Sequence, residues 1–440
     1  MPAEKFRFTT VTAVVIANMV GTGVFTSLGF QLLDIQSGFV ILLLWAIGGL
    51  IAVCGAMTYA ELGAAMPRSG GEYNFLSRLY HPAAGFVSGW VSATIGFAGP
   101  TALAAITFSA YATSITPALD DPVVKKLLAI GLIVGLTILH SGSRRNSGGI
   151  QILFTILKVV VILLFCITAL QVIETPQPIN FVPIKGDSSL IMSGAFAVSL
   201  IYVSYAYTGW NAATYLSSEL IDPQRTLPGI LITGTLIVTI LYVALNFVFL
   251  YAAPVDLLQG QIEIGYVAAQ AAFGDIGARF TGLILALLLV STVSAMTIAG
   301  PRVLQVIGED FNALRFLAKK NGDGIPTTAI YLQSTIAISF ILSSTFESIL
   351  IFAGFTLALN SFATVLSVFV LRWKQTQLDT PYKTFLFPIP PIIYLTLTGW
   401  TLWFVLINRP IEVLFSFGII GSGLIVYCLS RTRGPDQNKI

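Results

Sequence analysis

The sequence predicts an all-α integral membrane protein of about twelve transmembrane helices, and three observations carry that expectation. Composition is the first: 55% of the 440 residues are hydrophobic and only 10% are charged, where a soluble domain carries about 25% charged residues to cover its surface. Mean hydropathy is +0.86, so lipid must be the solvent for most of the exterior. The second is spacing: apolar runs of roughly 20 residues, long enough to cross a hydrocarbon core, recur along the whole chain. The third is the placement of lysine and arginine, which is strongly one-sided once those runs are treated as spans.

Taken in order, the runs between polar or Pro/Gly interruptions give spans at 8–32, 38–66, 83–113, 124–142, 148–173 and 190–219. They continue at 228–252, 277–306, 326–344, 347–372, 389–408 and 411–430. A further apolar patch, Ile264–Phe273, is short and contains Gln270, so it reads as an outer loop helix. The first run begins near Thr9 and continues as a full span, so a cleavable signal is not expected. With the N-terminus inside, 17 of the 23 lysines and arginines fall on inner segments, Lys5, Arg144, Arg145, Arg433 and Lys439 among them. Only 5 fall outside, and Lys158 lies within a span. That asymmetry places both termini in the cytoplasm of a multi-pass protein.

Other classes are disfavoured. A net charge of +3 without a basic, aromatic-interleaved run gives no basis for nucleic-acid binding. Cys54, Cys166 and Cys428 all fall inside apolar runs, which suggests buried small hydrophobes and no disulfide framework. His81 and His140 stand at membrane edges far apart in sequence, so no metal pair is expected, and no cofactor is implied. An intramembrane enzyme would need a nucleophile with a base or a metal cluster, and no such grouping is present.

Two spans interrupt their own helical pattern. Gly21-Thr22-Gly23 sits midway along the first, and Ser204 to Asn211, reading Ser-Tyr-Ala-Tyr-Thr-Gly-Trp-Asn, midway along the sixth. The breaks are five spans apart, so they occupy matching positions in two five-helix halves, 8–173 and 190–372, within a single domain of residues 1–440 that ends in an appended pair at 389–430. Matched interruptions in two halves point to a transporter site built on inverted repeats. The glycines of the second span, Gly38, Gly48, Gly49 and Gly55, suit close helix packing instead.

Unwinding a helix at mid-bilayer frees peptide N–H and C=O groups, which is tolerated only where they face protein or a cavity. A zwitterionic amino acid supplies both missing partners. Its carboxylate accepts from N–H groups at the positive start of the half-helix after Gly21, and its ammonium donates to carbonyls left free before the breaks. No Asp or Glu lies in either break, so the backbone itself must do the recognition.

The residues GTGVF at 21–25, YAELGAAMPRSGGEYNFL at 59–76 and YAYTGWN at 205–211 now identify a resemblance, together with SELIDPQRTLP at 218–228, GPRVLQVIGED at 300–310 and TPYKTFLFP at 380–388. The chain resembles the amino acid–polyamine–organocation superfamily, and within it most the L-type amino acid transporter family. The resemblance spans the first ten helices and the loop beyond. It implies a LeuT-type fold with a 5+5 inverted repeat and alternating access. Carried onto this sequence, it implies that Gly21, Thr22 and Gly23 cradle the substrate carboxylate and that carbonyls of Met19, Tyr205, Ala206 and Thr208 hold the ammonium. It makes Tyr205 the outer aromatic gate and sets Trp210 and Asn211 along the lower break. Thr208 stands where a smaller residue is often found, which implies a narrower pocket.

Lys158 is the one charge inside a span, and a central lysine costs about 2.5–3.5 kcal/mol on insertion scales, so it is expected to face the bundle with partners. Sodium-independent relatives place a fifth-span lysine where sodium-coupled ones hold a cation. The resemblance therefore implies that Lys158 reaches span one and the hydroxyls among Ser291, Thr292 and Ser294, and that transport is independent of sodium. Whether Lys158 is a fixed cation or titrates is left open by the sequence. Glu61, Arg68 and Glu72, with Glu219, Asp222 and Arg225, lie at inner ends of spans two and six, where an inner-gate ion-pair network and plain surface solvation are both open. Asn360 and Ser361 in span ten could face the permeation path, though a helix–helix hydrogen bond suits them better.

These expectations converge on a sodium-independent carrier of neutral L-amino acids in a microbial inner or plasma membrane, more an exchanger than a proton symporter. A cationic amino acid or polyamine carrier is the alternative, and a non-translocating amino acid receptor is the alternative of a different class. Animal members of the L-type family join a heavy chain through a cysteine in the outer loop after span three. The matching loop near Ser114–Val124 has none, so no disulfide-linked heavy chain is expected and a monomer suffices.

Overall fold

Each apolar run of the sequence is helical, and the interruptions fall where glycine and polar residues cluster. The computed structural model describes residues 6–116, 119–142, 147–374 and 381–431; Lys5, Arg144, Arg145, Arg433 and Lys439 lie outside them. Span one is two helices, α1 (Phe8–Met19) and α2 (Gly23–Gln31), separated by Val20–Thr22. Span two is α3 (Gly38–Ala65), started by Ser37, whose hydroxyl accepts from the Val40 N–H at 3.3 Å. A short helix α4 (Glu72–Leu79) precedes span three, which is α5 (Pro82–Val91), a π-helical turn over Ser92–Gly96, and α6 (Ala98–Ile115).

The chain continues through α7 (Pro122–Gly142), α8 (Ser147–Val172) and the short outer helix α9 (Asp187–Ile191). Span six is α10 (Gly194–Ala206), a break, and a 3-10 segment over Ala212–Glu219. Next come α11 (Pro223–Ala252), the single turn α12 (Val255–Leu258), and α13 (Ile264–Asp310), which is interrupted at Gly274, where φ is 69°. That interruption separates a short helix at 264–273 from span eight. The last spans are α14 (Thr327–Ser343), α15 (Phe346–Trp373), α16 (Ile389–Asn408) and α17 (Pro410–Arg431). Among the described residues ten helical segments are long and apolar enough to cross a membrane. Two shorter apolar helices, α10 and α14, complete the twelve expected spans.

Packing separates a core from a lipid-facing shell. Helices α2, α3, α6 and α10 bury most of their side chains and α11 half of them, and α3 lies along α11 while α6 lies along α13. Small residues let these helices approach, as membrane helices require in the absence of a hydrophobic drive between them. Gly48 of α3 meets Val203 of α10, and Gly49 meets Thr239 of α11. By contrast α7, α8, α16 and α17 leave Leu, Ile and Phe side chains exposed, Ile138 and Leu414 among them, and those faces suit acyl chains. At the end of the bundle that carries the N-terminus, Phe6 pairs with Leu220 as an isolated β-bridge; its N–H donates to Glu219 O at 2.8 Å and its carbonyl accepts from Ile221 N at 3.1 Å.

Candidate functional site

The two breaks meet at one cavity. Met19, Gly21, Thr22, Gly23, Tyr205, Ala206, Thr208, Trp210 and Asn211 all line it, with Glu72, Ser92, Tyr215, Thr292 and Ser361 among their neighbours. Its volume of about 120 Å³ is several times the ~10–15 Å³ that one water requires, so it suits a small polyatomic solute.

Backbone geometry explains why glycine occupies two positions in the breaks. A Cβ on Gly23 would overlap the backbone of Ala206, so the start of α2 and the end of α10 touch only because Gly23 has no side chain. Gly209 sits at φ 99°, where a side chain is strained, and a Cβ there would lie 2.8 Å from the Asn18 carbonyl. Helix α2 starts at Thr22 with no side-chain cap; the Gly21 N–H donates to Met19 O at 2.8 Å and the Phe25 N–H to Thr22 O at 3.0 Å, which leaves the N–H groups of Thr22 and Gly23 for a partner in the cavity.

The acceptor side of the site is more occupied than the sequence implies. The Tyr242 hydroxyl, from α11, lies 2.5 Å from Met19 O and 3.1 Å from Ala206 O. One phenol proton therefore serves two carbonyls assigned to the substrate ammonium; Met19 O also accepts from the Gly21 N–H at 2.8 Å, so Ala206 O is the less occupied of the two. The Tyr205 carbonyl accepts from Thr208 N at 2.9 Å and Thr208 Oγ1 at 2.7 Å, so the Thr208 side chain folds back onto the break.

Lys158 is buried and its Nζ donates to Thr292 Oγ1 at 2.8 Å. Of the three hydroxyls the resemblance offers it, only Thr292 forms this bond. Ser294 pairs instead with His140 Nε2 at 2.8 Å, and Ser291 Oγ is buried without a partner. The six inner-gate candidates do not form one network. Glu61 is buried and takes a bidentate pair from Arg372, Nε and Nη2 each at 2.8 Å, plus the Thr384 N–H at 2.8 Å. Arg68 and Glu219 are exposed, and Arg225 faces Asp222 at 3.7 Å. Plain surface solvation is thus the geometry seen for those three. Glu61 is paired across 311 residues with a partner on span ten, a separation that inspection of span ends does not reveal.

Glu72, which the sequence offers as an inner-gate ion-pair candidate, has neutral donors around it instead. It belongs to the quoted 59–76 motif but sits outside every span, on α4, which carries it under the cavity. Its Oε1 accepts from Tyr59 Oη at 2.5 Å, Asn211 Nδ2 at 3.2 Å and Ser361 Oγ at 3.2 Å. Its Oε2 accepts from Tyr215 Oη at 3.4 Å and from Asn360 Nδ2. Asn360 and Ser361 thus make helix–helix hydrogen bonds to α4, and Ser361 also lines the cavity. Burial pushes the Glu72 carboxyl above its ordinary value, and the hydrogen bonds from Tyr59, Ser361, Tyr215 and Asn211 offset only some of that rise.

A helical bundle with two apposed broken helices around a central polar cavity defines the class of secondary transporters with mid-membrane sites. The family model for amino acid permeases matches residues 6–428, and the chain belongs to that family, within the amino acid–polyamine–organocation superfamily. It is an amino acid transporter and not an enzyme. Its similarity to the b(0,+)-type amino acid transporter 1 of Mus musculus is 28% identity over 426 residues, covering 94% of this chain and 85% of the relative. It is also 28% identical over 438 residues to the large neutral amino acids transporter small subunit 2 of Homo sapiens, covering 94% and 78%.

Proposed function

We propose that the protein is a sodium-independent exchanger of neutral L-amino acids that binds its substrate at the two breaks. The observation that carries this reading is the uncapped start of α2 at Thr22, opening on the same cavity as the carbonyl ends of α1 and α10. In this reading the carboxylate lies on the N–H groups of Thr22 and Gly23, and gains that of Gly21 when it exchanges its bond to Met19 O for the substrate. The ammonium takes the lone pair that Tyr242 leaves at Ala206 and the one that Gly21 then releases at Met19, and Tyr205 closes the outer side. Trp210 and Asn211 face the side chain from below, and Thr208 narrows the pocket toward smaller substrates.

Support for sodium independence comes from the buried ammonium of Lys158 at Thr292, a fixed charge where a bound cation would otherwise sit. The neutral preference is supported by Glu72, the carboxylate in the cavity lining: five donors already occupy it, so it offers no vacant acceptor to a basic side chain. The same reading takes the halves at 8–173 and 190–372 as inverted repeats, the termini as cytoplasmic, and the functional unit as a monomer without a disulfide-linked heavy chain in an inner or plasma membrane.

The test is reconstitution in sodium-free liposomes, preloaded or empty, with a labelled mixture of neutral amino acids outside. Uptake confined to preloaded vesicles is the expected result. Strict dependence on added sodium, or uptake of cationic amino acids alone, overturns the reading.

A further inference from the structure

Glu72 carries more donors than any other carboxylate described above, and their origins matter more than their number. Tyr59 comes from span two, Asn211 and Tyr215 from the lower half of span six, and Asn360 and Ser361 from span ten. Helix α4 follows span two, so with cytoplasmic termini this cluster forms the inner floor of the cavity, and solute leaving for the cytoplasm must part it.

The chemistry of the cluster depends on charge state. An ionised carboxylate offers about four lone-pair sites, and here five donors converge on them. Among the described residues no lysine, arginine or histidine forms an ion pair with Glu72. The titratable groups facing it are phenols: Tyr59, Tyr215 and, from span eleven, Tyr394. A proton on either oxygen removes acceptor sites the donors already crowd and turns that oxygen into a donor. Some of the five bonds must then be given up, and each given up detaches span two, six or ten from the floor. The burial that lifts the carboxyl above its ordinary value brings this protonation closer to neutral pH.

We propose that Glu72 is a proton-operated latch: ionised, it ties spans two, six and ten into a closed cytoplasmic floor, and protonated, it releases them. Glu72 is thus a positioning residue of the transport cycle, and the latch sets how fast the cavity opens inward. This rests on the transporter reading and its orientation, but it is tested apart from transport.

The experiment reads cytoplasmic access directly. A cysteine introduced by Ala212→Cys, at the cavity lining just below the lower break, is placed in a Cys428→Ser background, since Cys54 and Cys166 are buried. Inside-out vesicles are labelled with a membrane-impermeant maleimide across a pH series and normalised to an exposed control cysteine. Labelling is expected to rise as pH falls. Glu72→Gln is expected to label at every pH at the level the parent reaches only in acid. Tyr59→Phe and Ser361→Ala each remove one donor to the ionised form, and are expected to move the midpoint up by about one pH unit. These two decide the matter if Glu72→Gln does not fold. Labelling of the parent that ignores pH, or midpoints unmoved in Tyr59→Phe and Ser361→Ala, overturns the latch. A pH-dependent, Glu72-dependent labelling in a protein that exchanges no amino acid upholds the latch and strikes only the substrate reading.

Discussion

Exchanging Arg372 for methionine destabilises this protein far more than exchanging its partner Glu61 for glutamine, although each change breaks the same pair. The asymmetry follows from burial. The Glu61 side chain is 1% exposed and that of Arg372 is 31% exposed. Without Arg372, the Glu61 carboxylate remains buried with the Thr384 N–H as its remaining donor, and a buried charge stripped of its partner costs about 3–5 kcal/mol. Without the Glu61 charge, Arg372 keeps its place 3.6 Å over the Phe387 ring and extends its guanidinium toward water, while glutamine still accepts from Thr384. Two charge-assisted bonds to a partly exposed arginine, discounted for screening, amount to about 1–2 kcal/mol. The assay is the unfolding midpoint of purified protein in one detergent at one scan rate, since irreversible unfolding makes the midpoint rate-dependent. The double variant leaves no orphaned charge, so it unfolds at a higher temperature than Arg372→Met alone. A ranking in which Glu61→Gln is the more damaging, or a double variant as unstable as the sum of both, refutes the reasoning.

Three further outcomes are expected. Gly23→Ala forces α2 from Ala206 and abolishes exchange while the protein remains monodisperse; Gly21→Ala, whose new methyl meets nothing nearer than Met19 O at 3.8 Å, retains measurable exchange, and equal loss in both counts against the contact. Lys158→Ala loses exchange at every pH if the ammonium is a fixed cation, and activity surviving at high pH contradicts that role. Tyr242→Phe keeps its ring contacts with Trp45 and Tyr207 but leaves a buried carbonyl without its donor, a loss of about 1–3 kcal/mol that a bound amino acid reduces; equal thermal shifts with and without ligand sink the shared-carbonyl account.

Most of the fold was legible in the sequence because lipid imposes length and polarity on each span locally. The breaks were legible for the same reason, since Gly21, Gly23 and Gly209 interrupt otherwise apolar helices. What escaped inspection depends on long-range partners. Glu72 is legible as a span-end acid, but its place in the cavity lining is not, because spans six and ten, 139 and 288 residues away, bring Asn211 and Asn360 to it. Tyr242 is one more aromatic in an apolar run until its hydroxyl is seen between two breaks. The π-helical turn at Ser92–Gly96 leaves no periodicity signal of its own, yet it directs Ser92 and Gly96 into the cavity. Glu61 is legible as a span-end acid but its partner is not, because the ion pair joins span two to span ten.

The contacts made by Gly23 and Gly209 also say how the molecule can move. Gly23 holds the second half of span one to the first half of span six, through Ala206; Gly209 holds the second half of six to the first half of one, through Asn18. Neither contact has room for slippage between its two members. The four half-helices therefore act mechanically as two blades, one above the cavity and one below, joined at the unwound residues. A blade swings as one lever, so a covalent tether within the lower blade leaves the cycle running, whereas one from the lower blade to span ten jams it.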